Sequence, residues 1–165
     1  MRAQQYHIHE PPPADQLGLI FAFSLNGKGG GTPLDWSTIN LWEPSQGTLW
    51  LHCDYSAPHI QSWLFEKSGL NPIIIEALLE EETRPRFLTS EEGLLLILRG
   101  ANSNPDEDPE DMVSIRMFFT KNTVITMQKR KVAAVDGIYK AIQLNRGPVS
   151  PSDCLVMISD RLTDR

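Results

Sequence analysis

The chain has 165 residues, of which 41% are hydrophobic and 22% are charged, with a formal net charge of -6 and a pI near 5.2. This length and composition predict one globular domain with a single hydrophobic core. The acidic balance argues against nucleic acid or an anionic membrane surface as a partner, since both are bound by clustered lysine and arginine.

Residues 1–16 are predicted to form an extended or poorly ordered arm. They include three consecutive prolines, Pro11 to Pro13, and no sustained apolar period. This start has neither a basic segment followed by an apolar one nor a small-residue cleavage site, so it is not a secretory signal. The chain is therefore expected to stay in the cytosol, and residues 17–165 are predicted to form one domain.

Strands and loops alternate in the next part of the chain. The apolar run from Leu17 to Leu25 predicts a strand, and residues 26–31 predict a glycine-rich loop, because glycine readily adopts the positive φ angles of turns. Residues 36–42 are predicted to hold a short element, residues 43–47 a turn, and residues 48–53 a second strand.

Two helices are predicted to follow in close succession. Ser56 is the expected N-cap of the first, which covers residues 57–67 and ends at Gly69. Asn71 is the expected N-cap of the second, with Pro72 in its first turn, and this helix is predicted to continue to about Glu81.

The hydrophobic period of the sequence then changes from that of a helix to that of a β-strand. Residues 113, 115, 117 and 119 are apolar and alternate with other residues, as on one face of a strand. The turn residues Lys121 and Asn122 predict an antiparallel hairpin between the last two strands. Four strands are predicted in this part of the chain, at residues 86–89, 93–99, 112–119 and 123–128.

Two more helices are predicted at the end of the chain. Val132, Val135, Ile138 and Ile142 form a helical stripe that Gly147-Pro148 ends, and Ser150 begins a final helix. This last helix is still amphipathic at Arg165 and has no stop signal, so the chain is expected to be a fragment of a longer protein. No apolar run has the roughly 18–20 residues that a membrane-spanning helix needs.

These elements together predict an α/β (α+β) fold. The sheet is expected to be mixed and largely antiparallel, with helices on its faces in an α/β/α arrangement.

His52, Cys53 and Asp54 bring three potential metal ligands to the end of a strand. Neighbouring residues of a strand point to opposite faces, so His52 and Asp54 are the candidate metal ligands, while Cys53 faces the other way. The alternative is that His52 forms local hydrogen bonds, Cys53 packs as a small apolar group and Asp54 begins a turn. The only other cysteine is Cys154, and both are expected to be reduced.

The densest cluster of charge lies between two predicted strands. Asp106, Asp108 and Asp111 are candidate metal ligands there, because hard cations prefer oxygen ligands. The alternative is a solvated loop, which the neighbouring prolines favour. The segment lacks the spacing and the glycine of an EF-hand loop, so it does not predict a specific calcium site.

No catalytic or cofactor site is predicted. The glycine-rich loop lacks the order of a phosphate-binding P-loop, and Pro33 stands where the helix of such a loop would begin. Glu76 and Glu80 lie four residues apart on one helix, but no nucleophile or oxyanion donor joins them. The chain is therefore not expected to be an enzyme.

Two segments of the chain form a distinctive pair, Leu98-Arg99-Gly100-Ala101-Asn102 and Pro109-Glu110-Asp111-Met112-Val113-Ser114. Four further segments accompany them, which are Trp50-Leu51-His52, residues 71–79, Arg84-Pro85-Arg86 and Ile115-Arg116. In their order and spacing, these segments resemble the N-terminal cytoplasmic domain of CorA-type divalent-cation transporters, most closely the zinc-transporting ZntB branch. The first pair is the most specific part of this resemblance.

The resemblance implies a homopentameric inner-membrane transporter of Zn²⁺, or of another divalent cation such as Mg²⁺, with an α/β/α part in its cytoplasmic funnel. The pore helix, the two membrane helices and the Gly-Met-Asn-type loop of this family would lie beyond Arg165. The chain is then expected to contribute to the funnel, to assembly and to ion sensing, and to need no cofactor. Two alternatives are a Mg²⁺ or Co²⁺ transporter domain and a stand-alone soluble regulatory or ligand-binding module.

Overall fold

The computed structural model describes residues 16–81 and 84–163, so all but the last residue of the predicted arm lies outside it. The described residues contain seven strands, which are β1 (Leu19–Leu25), β2 (Gly31–Pro33), β3 (Thr48–Asp54), β4 (Arg86–Thr89), β5 (Leu94–Gly100), β6 (Val113–Phe119) and β7 (Thr123–Gln128). The helices are α1 (Trp36–Leu41), α2 (Pro58–Glu66), α3 (Pro72–Leu79), α4 (Ala133–Gln143) and α5 (Pro151–Thr163), with one 3-10 turn at Pro44–Gln46.

The strands form one sheet with the order β2-β1-β3-β7-β6-β5-β4. Its strand pairs are antiparallel except for β3 and β7, which run parallel with Leu51 opposite Ile125. The chain between these two central strands is a long crossover that contains α2, α3 and the β4–β5–β6 meander. The predicted mixed, largely antiparallel sheet is confirmed, and so is the hairpin of β6 and β7.

Helices cover both faces of the sheet. On one face, α1, α2 and α3 pack against a core that includes Leu51, Phe118 and Ile125. On the other face, α4 and α5 pack against a core that includes Trp50 and Met117. The predicted α/β/α layers are therefore confirmed.

The alternating residues of β6 show how the sequence sets these faces. Val113, Ile115, Met117 and Phe119 all lie under α4 and α5, as their spacing predicts. Phe118 lies on the opposite face. Cys53 and His52 are likewise on opposite faces of β3, which agrees with the prediction for neighbouring strand residues.

Some predicted boundaries differ from the structure. β1 begins at Leu19 because Leu17 and Gly18 have positive φ angles of 56° and 99°, which do not fit a strand. Ser56 is not the N-cap of α2, since Ala57 holds that position and the Ser56 hydroxyl donates to Asp54 Oδ1 at 2.6 Å. Asn71 does cap α3, but this helix ends at Leu79 and not near Glu81.

The last helix has a reciprocal cap at its start. The Asp153 amide donates to Ser150 Oγ at 3.0 Å, and the Val149 amide donates to Asp153 Oδ2 at 2.9 Å. The predicted start of the helix at Ser150 is thus confirmed. Across residues 16–81 and 84–163, none of the helices is long and apolar enough to span a membrane.

Candidate functional site

The acidic segment predicted to bind cations lies in the loop between β5 and β6. Glu107 anchors this loop, because the buried Asn102 donates from Nδ2 to Glu107 Oε1 at 2.9 Å. The Arg130 guanidinium lies 3.9 Å from the same carboxylate oxygen. One carboxylate of the cluster is therefore engaged in holding the loop against the turn after β7.

The three predicted ligands of this loop, Asp106, Asp108 and Asp111, are all exposed. Asp108 Oδ1 accepts a hydrogen bond from the Glu110 amide at 2.9 Å, and Asp106 has a positive φ of 64°. Within the part of the chain that the structure describes, no group of three or more His, Cys, Asp or Glu side chains is placed to hold a metal ion. The loop is a solvated negative surface, and a metal ion on it stays a prediction.

The other two predicted ligands lie at the carboxyl end of β3. His52 is buried, and its Nδ1 is 2.7 Å from Thr126 Oγ1 and its Nε2 is 2.8 Å from Gln128 Oε1. Asp54 Oδ1 instead accepts hydrogen bonds from the amide and the hydroxyl of Ser56. Both ring nitrogens of His52 thus have partners inside the fold, and a metal ion bound there would have to displace one of them.

A short polar network surrounds His52 under α4. Trp50 Nε1 donates to Thr126 Oγ1 at 2.9 Å, and the Val132 amide at the start of α4 donates to Gln128 Oε1 at 3.1 Å. The Phe21 ring lies against the imidazole, with 5.1 Å between the ring centroids. The network therefore connects β3, β7 and α4, and the proximity in sequence of His52 to Asp54 gave no indication of it.

Burial sets the protonation state of His52. Desolvation lowers the pKa of His52 from its usual 6.5 to about 4, although the hydrogen bond to Gln128 works in the opposite direction. The imidazole is consequently neutral at pH 7 and acts as a structural hydrogen-bonding group.

The stability of the chain should fall as the pH falls from 7 to 5. The unfolded His52 takes up a proton near pH 6.5, whereas the folded ring stays neutral until about pH 4. The unfolded state therefore binds more protons in this window, and this one group should lower the free energy of unfolding by about 2 kcal/mol between pH 7 and pH 5. Urea unfolding at both pH values measures the change.

A His52→Gln variant isolates this contribution, since it removes the titrating ring from the core. Its free energy of unfolding should change less between the two pH values than that of the parent chain. His59→Gln is the control, because it removes an exposed imidazole and keeps the buried ring of His52. Its free energy of unfolding should depend on pH as strongly as that of the parent chain. An equal slope for the parent and the His52→Gln variant would show that His52 is not the group responsible.

Arg116 is a buried cation in β6 that the sequence pattern did not single out as a site residue. Its Nη1 donates to the carbonyl of Leu78 at 2.7 Å and its Nη2 to that of Glu81 at 3.5 Å. Its Cζ lies 3.8 Å from the centroid of the Tyr55 ring. Arg116 thus binds the carboxyl end of α3. Its place within the mostly apolar strand β6 was the signal in the sequence that could have revealed its burial.

The glycine-rich loop between β1 and β2 serves as a turn. Asn26 Oδ1 accepts hydrogen bonds from the amides of Lys28 at 2.7 Å and Gly30 at 3.1 Å. The Gly147 amide donates to the Gly29 carbonyl at 2.8 Å, which holds the loop against the segment after α4. A β-carbon at Gly29 would lie 2.5 Å from the Asn145 carbonyl oxygen, so this close approach requires glycine.

Comparisons with known proteins extend these observations. The profile of a family described as CorA-like Mg2+ transporter protein matches residues 45–165. A relative from Pseudomonas aeruginosa, described as divalent cation transporter CmaX, is 40% identical over 154 residues, which cover 92% of this chain and 46% of the relative. The zinc transport protein ZntB of Yersinia pseudotuberculosis is 32% identical over 145 residues, which cover 88% of this chain and 43% of that protein.

Solved structures are also similar over most of the chain. The crystal structure of the ZntB cytoplasmic domain from Vibrio parahaemolyticus matches with a TM-score of 0.77 and 28% identity, covering 88% of this chain and 57% of that one. The chain spans a little less than half the length of the two curated relatives.

Proposed function

Because this chain belongs to the family of CorA-like Mg2+ transporter proteins, we propose that it is the N-terminal cytoplasmic domain of a divalent-cation transporter of the bacterial inner membrane. Zn²⁺ is the ion that we propose the intact protein moves. The observation that carries the proposal is the match, at a TM-score of 0.77, to a structure described as a ZntB cytoplasmic domain. The segments at residues 98–102 and 109–114, which resemble those of the ZntB branch, support the same proposal.

In the intact protein, we propose that this domain forms part of a cytoplasmic funnel and helps to assemble a homopentamer. The membrane would be reached through parts of the intact protein outside this chain, which spans less than half the length of its curated relatives. The formal net charge of -6 supports a role at the entrance of a cation path, because negative surfaces raise the local concentration of cations. We propose no enzymatic activity, no cofactor and no nucleic-acid partner for the domain.

Transport by the full-length protein tests the proposal directly. The protein is reconstituted in lipid vesicles that contain a Zn²⁺-sensitive dye, and Zn²⁺ is added outside. Zn²⁺ should enter faster than in vesicles without protein, and a proton gradient should change the rate if the flux is coupled to protons. Equal rates with and without protein would contradict a zinc transporter.

A Mg²⁺ or Co²⁺ transporter is the second candidate. The family description itself names Mg²⁺, and the relative with 40% identity is described only as a transporter of divalent cations. The same vesicles with a Mg²⁺-sensitive dye separate the two candidates, since Mg²⁺ entry without Zn²⁺ entry would support this one. A stand-alone regulatory module remains the alternative if the full-length reading frame encodes no membrane-spanning segment.

The loop between β5 and β6 is where we propose that cations are sensed. Replacing Asp106, Asp108 and Asp111 with asparagine in the full-length protein should change how the Zn²⁺ entry rate depends on the Zn²⁺ concentration, because the loop would lose most of its negative charge. A matched control neutralises three exposed carboxylates elsewhere, at Glu66, Glu76 and Asp160. The same response in both triple variants would contradict a sensing role for the loop.

A further inference from the structure

A cavity of about 450 Å³ opens on the face of the sheet that α1, α2 and α3 cover. Its floor includes Leu49, Leu51 and Ile125 from the parallel strands β3 and β7. Trp42, after α1, and Trp63, in α2, are half-buried residues that also line it. This Trp42–Trp63 pocket has the size of small-molecule sites, which are roughly 300–1,000 Å³ and mostly apolar.

Lys67 is the only charged residue among those that line the pocket. Its ammonium group forms no ion pair or hydrogen bond with the residues that the structure describes. Lys67 follows α2, and the Trp63 carbonyl at that end accepts hydrogen bonds from the amides of Lys67 at 2.8 Å and Ser68 at 3.0 Å. The Trp63 carbonyl at the helix end is thus paired with backbone amides, and the Lys67 ammonium group is available to a ligand.

Thr120 lines the same pocket, and its hydroxyl would suit the same type of ligand. Thr120 Oγ1 accepts hydrogen bonds from the amides of Asn122 at 3.2 Å and Thr123 at 3.0 Å. Because both bonds use lone pairs of the oxygen, the hydroxyl hydrogen remains able to donate. The pocket therefore combines an apolar body with an ammonium group and a hydroxyl donor, and it contains no carboxylate.

We propose that the Trp42–Trp63 pocket binds a small organic monoanion with a flat apolar body, such as an aromatic carboxylate or sulfonate. The apolar floor and the indole rings would hold the body, and the anionic group would lie near Lys67. The pocket is on the opposite face of the sheet from His52 and is formed without any residue of the acidic loop. The proposal therefore holds whichever ion the intact protein moves.

Two fluorescent probes of nearly the same shape test the proposal. 8-Anilinonaphthalene-1-sulfonate carries a sulfonate, whereas N-phenyl-1-naphthylamine lacks it and is neutral. Each is titrated into the 165-residue chain after a cooperative thermal transition has been recorded, since loosely packed chains bind such dyes non-specifically. The anionic probe should bind at one saturable site and more tightly than the neutral probe.

Variants of the pocket give the decisive comparison. Lys67→Met keeps the length of the side chain and removes its charge. It should lower the affinity for the anionic probe about three- to five-fold and leave the affinity for the neutral probe unchanged. Lys140→Met makes the same change on α4, on the other face of the sheet, and should alter neither probe. Asn40→Trp places a large ring at the pocket and should lower the affinity for both probes at least about ten-fold, because the ring occupies the space that a ligand needs.

Other outcomes would overturn the proposal. These are the absence of saturable binding, equal affinities for the two probes, or unchanged affinity of the anionic probe for the Lys67→Met variant. A second copy of the chain is the other possible occupant of an open apolar pocket. Sedimentation equilibrium would reveal that case as a dimer that the Asn40→Trp substitution dissociates, and this result would also exclude the small anion as the natural occupant.

Discussion

Replacing Arg116 with alanine is expected to lower the free energy of unfolding by about 3–5 kcal/mol, because it leaves buried carbonyls unpaired and also removes a large side chain from the core. The substitution leaves the buried carbonyl of Leu78 without the donor that lies 2.7 Å away. It also removes the guanidinium that stacks on the Tyr55 ring and opens a cavity between β6 and α3. Urea unfolding followed by circular dichroism measures the loss.

Arg116→Met separates the lost hydrogen bonds from the lost volume. Methionine fills most of the same space but donates to neither carbonyl, so we expect a loss of about 1–3 kcal/mol for the unpaired polar groups. Arg99→Ala is the matched control, since Arg99 is an exposed arginine of the neighbouring strand β5, and it should change stability by no more than about 0.5 kcal/mol. A loss at Arg116 as small as that at Arg99 would show that the buried guanidinium does not hold α3.

Trp50→Ala is expected to cost about 3–5 kcal/mol, the range for a large aromatic residue removed from a core. The Trp50 side chain is fully buried under α4 and α5. Its ring meets that of Phe21 edge to face, with 5.0 Å between the ring centroids, and its Nε1 donates to Thr126 Oγ1. The same urea unfolding experiment measures the loss.

Trp50→Phe keeps part of the ring and removes the indole donor, so a smaller loss of about 1–2 kcal/mol is expected. Phe65→Ala serves as the control, because Phe65 is an aromatic residue of α2 with 56% of its surface exposed. Its removal should change stability by less than about 1 kcal/mol. Equal losses for Trp50→Ala and Phe65→Ala would contradict the central position of Trp50 in this core.

Local chemistry made most of the elements predictable from the sequence. Asn71 caps α3 through its own side chain, and Ser150 and Asp153 cap α5, so these helix starts depend on residues adjacent in the chain. The alternation of apolar residues in β6 likewise predicted which residues face α4 and α5, because successive side chains of a strand point to opposite faces of the sheet. The short strand β2 was missed, because its three residues have no apolar alternation and are held by pairing with β1.

The candidate sites were less predictable, because their properties depend on distant partners. The sequence placed His52 beside Asp54 and suggested metal ligands, whereas the hydrogen-bond partners of His52 are Thr126 and Gln128 from β7. The two strands become neighbours only because the crossover returns β7 parallel to β3. The lining of the Trp42–Trp63 pocket is likewise drawn from segments between Ile39 and Ile125 that meet only in the folded sheet.

The fold class, the two helical layers and the resemblance to a transporter family could all be predicted from the amino-acid sequence, because caps, turns and hydrophobic periods act over a few residues. The strand order, the burial of Arg116 and His52, and the shape of the Trp42–Trp63 pocket required the folded chain. Strand pairing and desolvation act between residues far apart in the chain. A local sequence pattern therefore does not reveal which strands pair or which polar groups are desolvated.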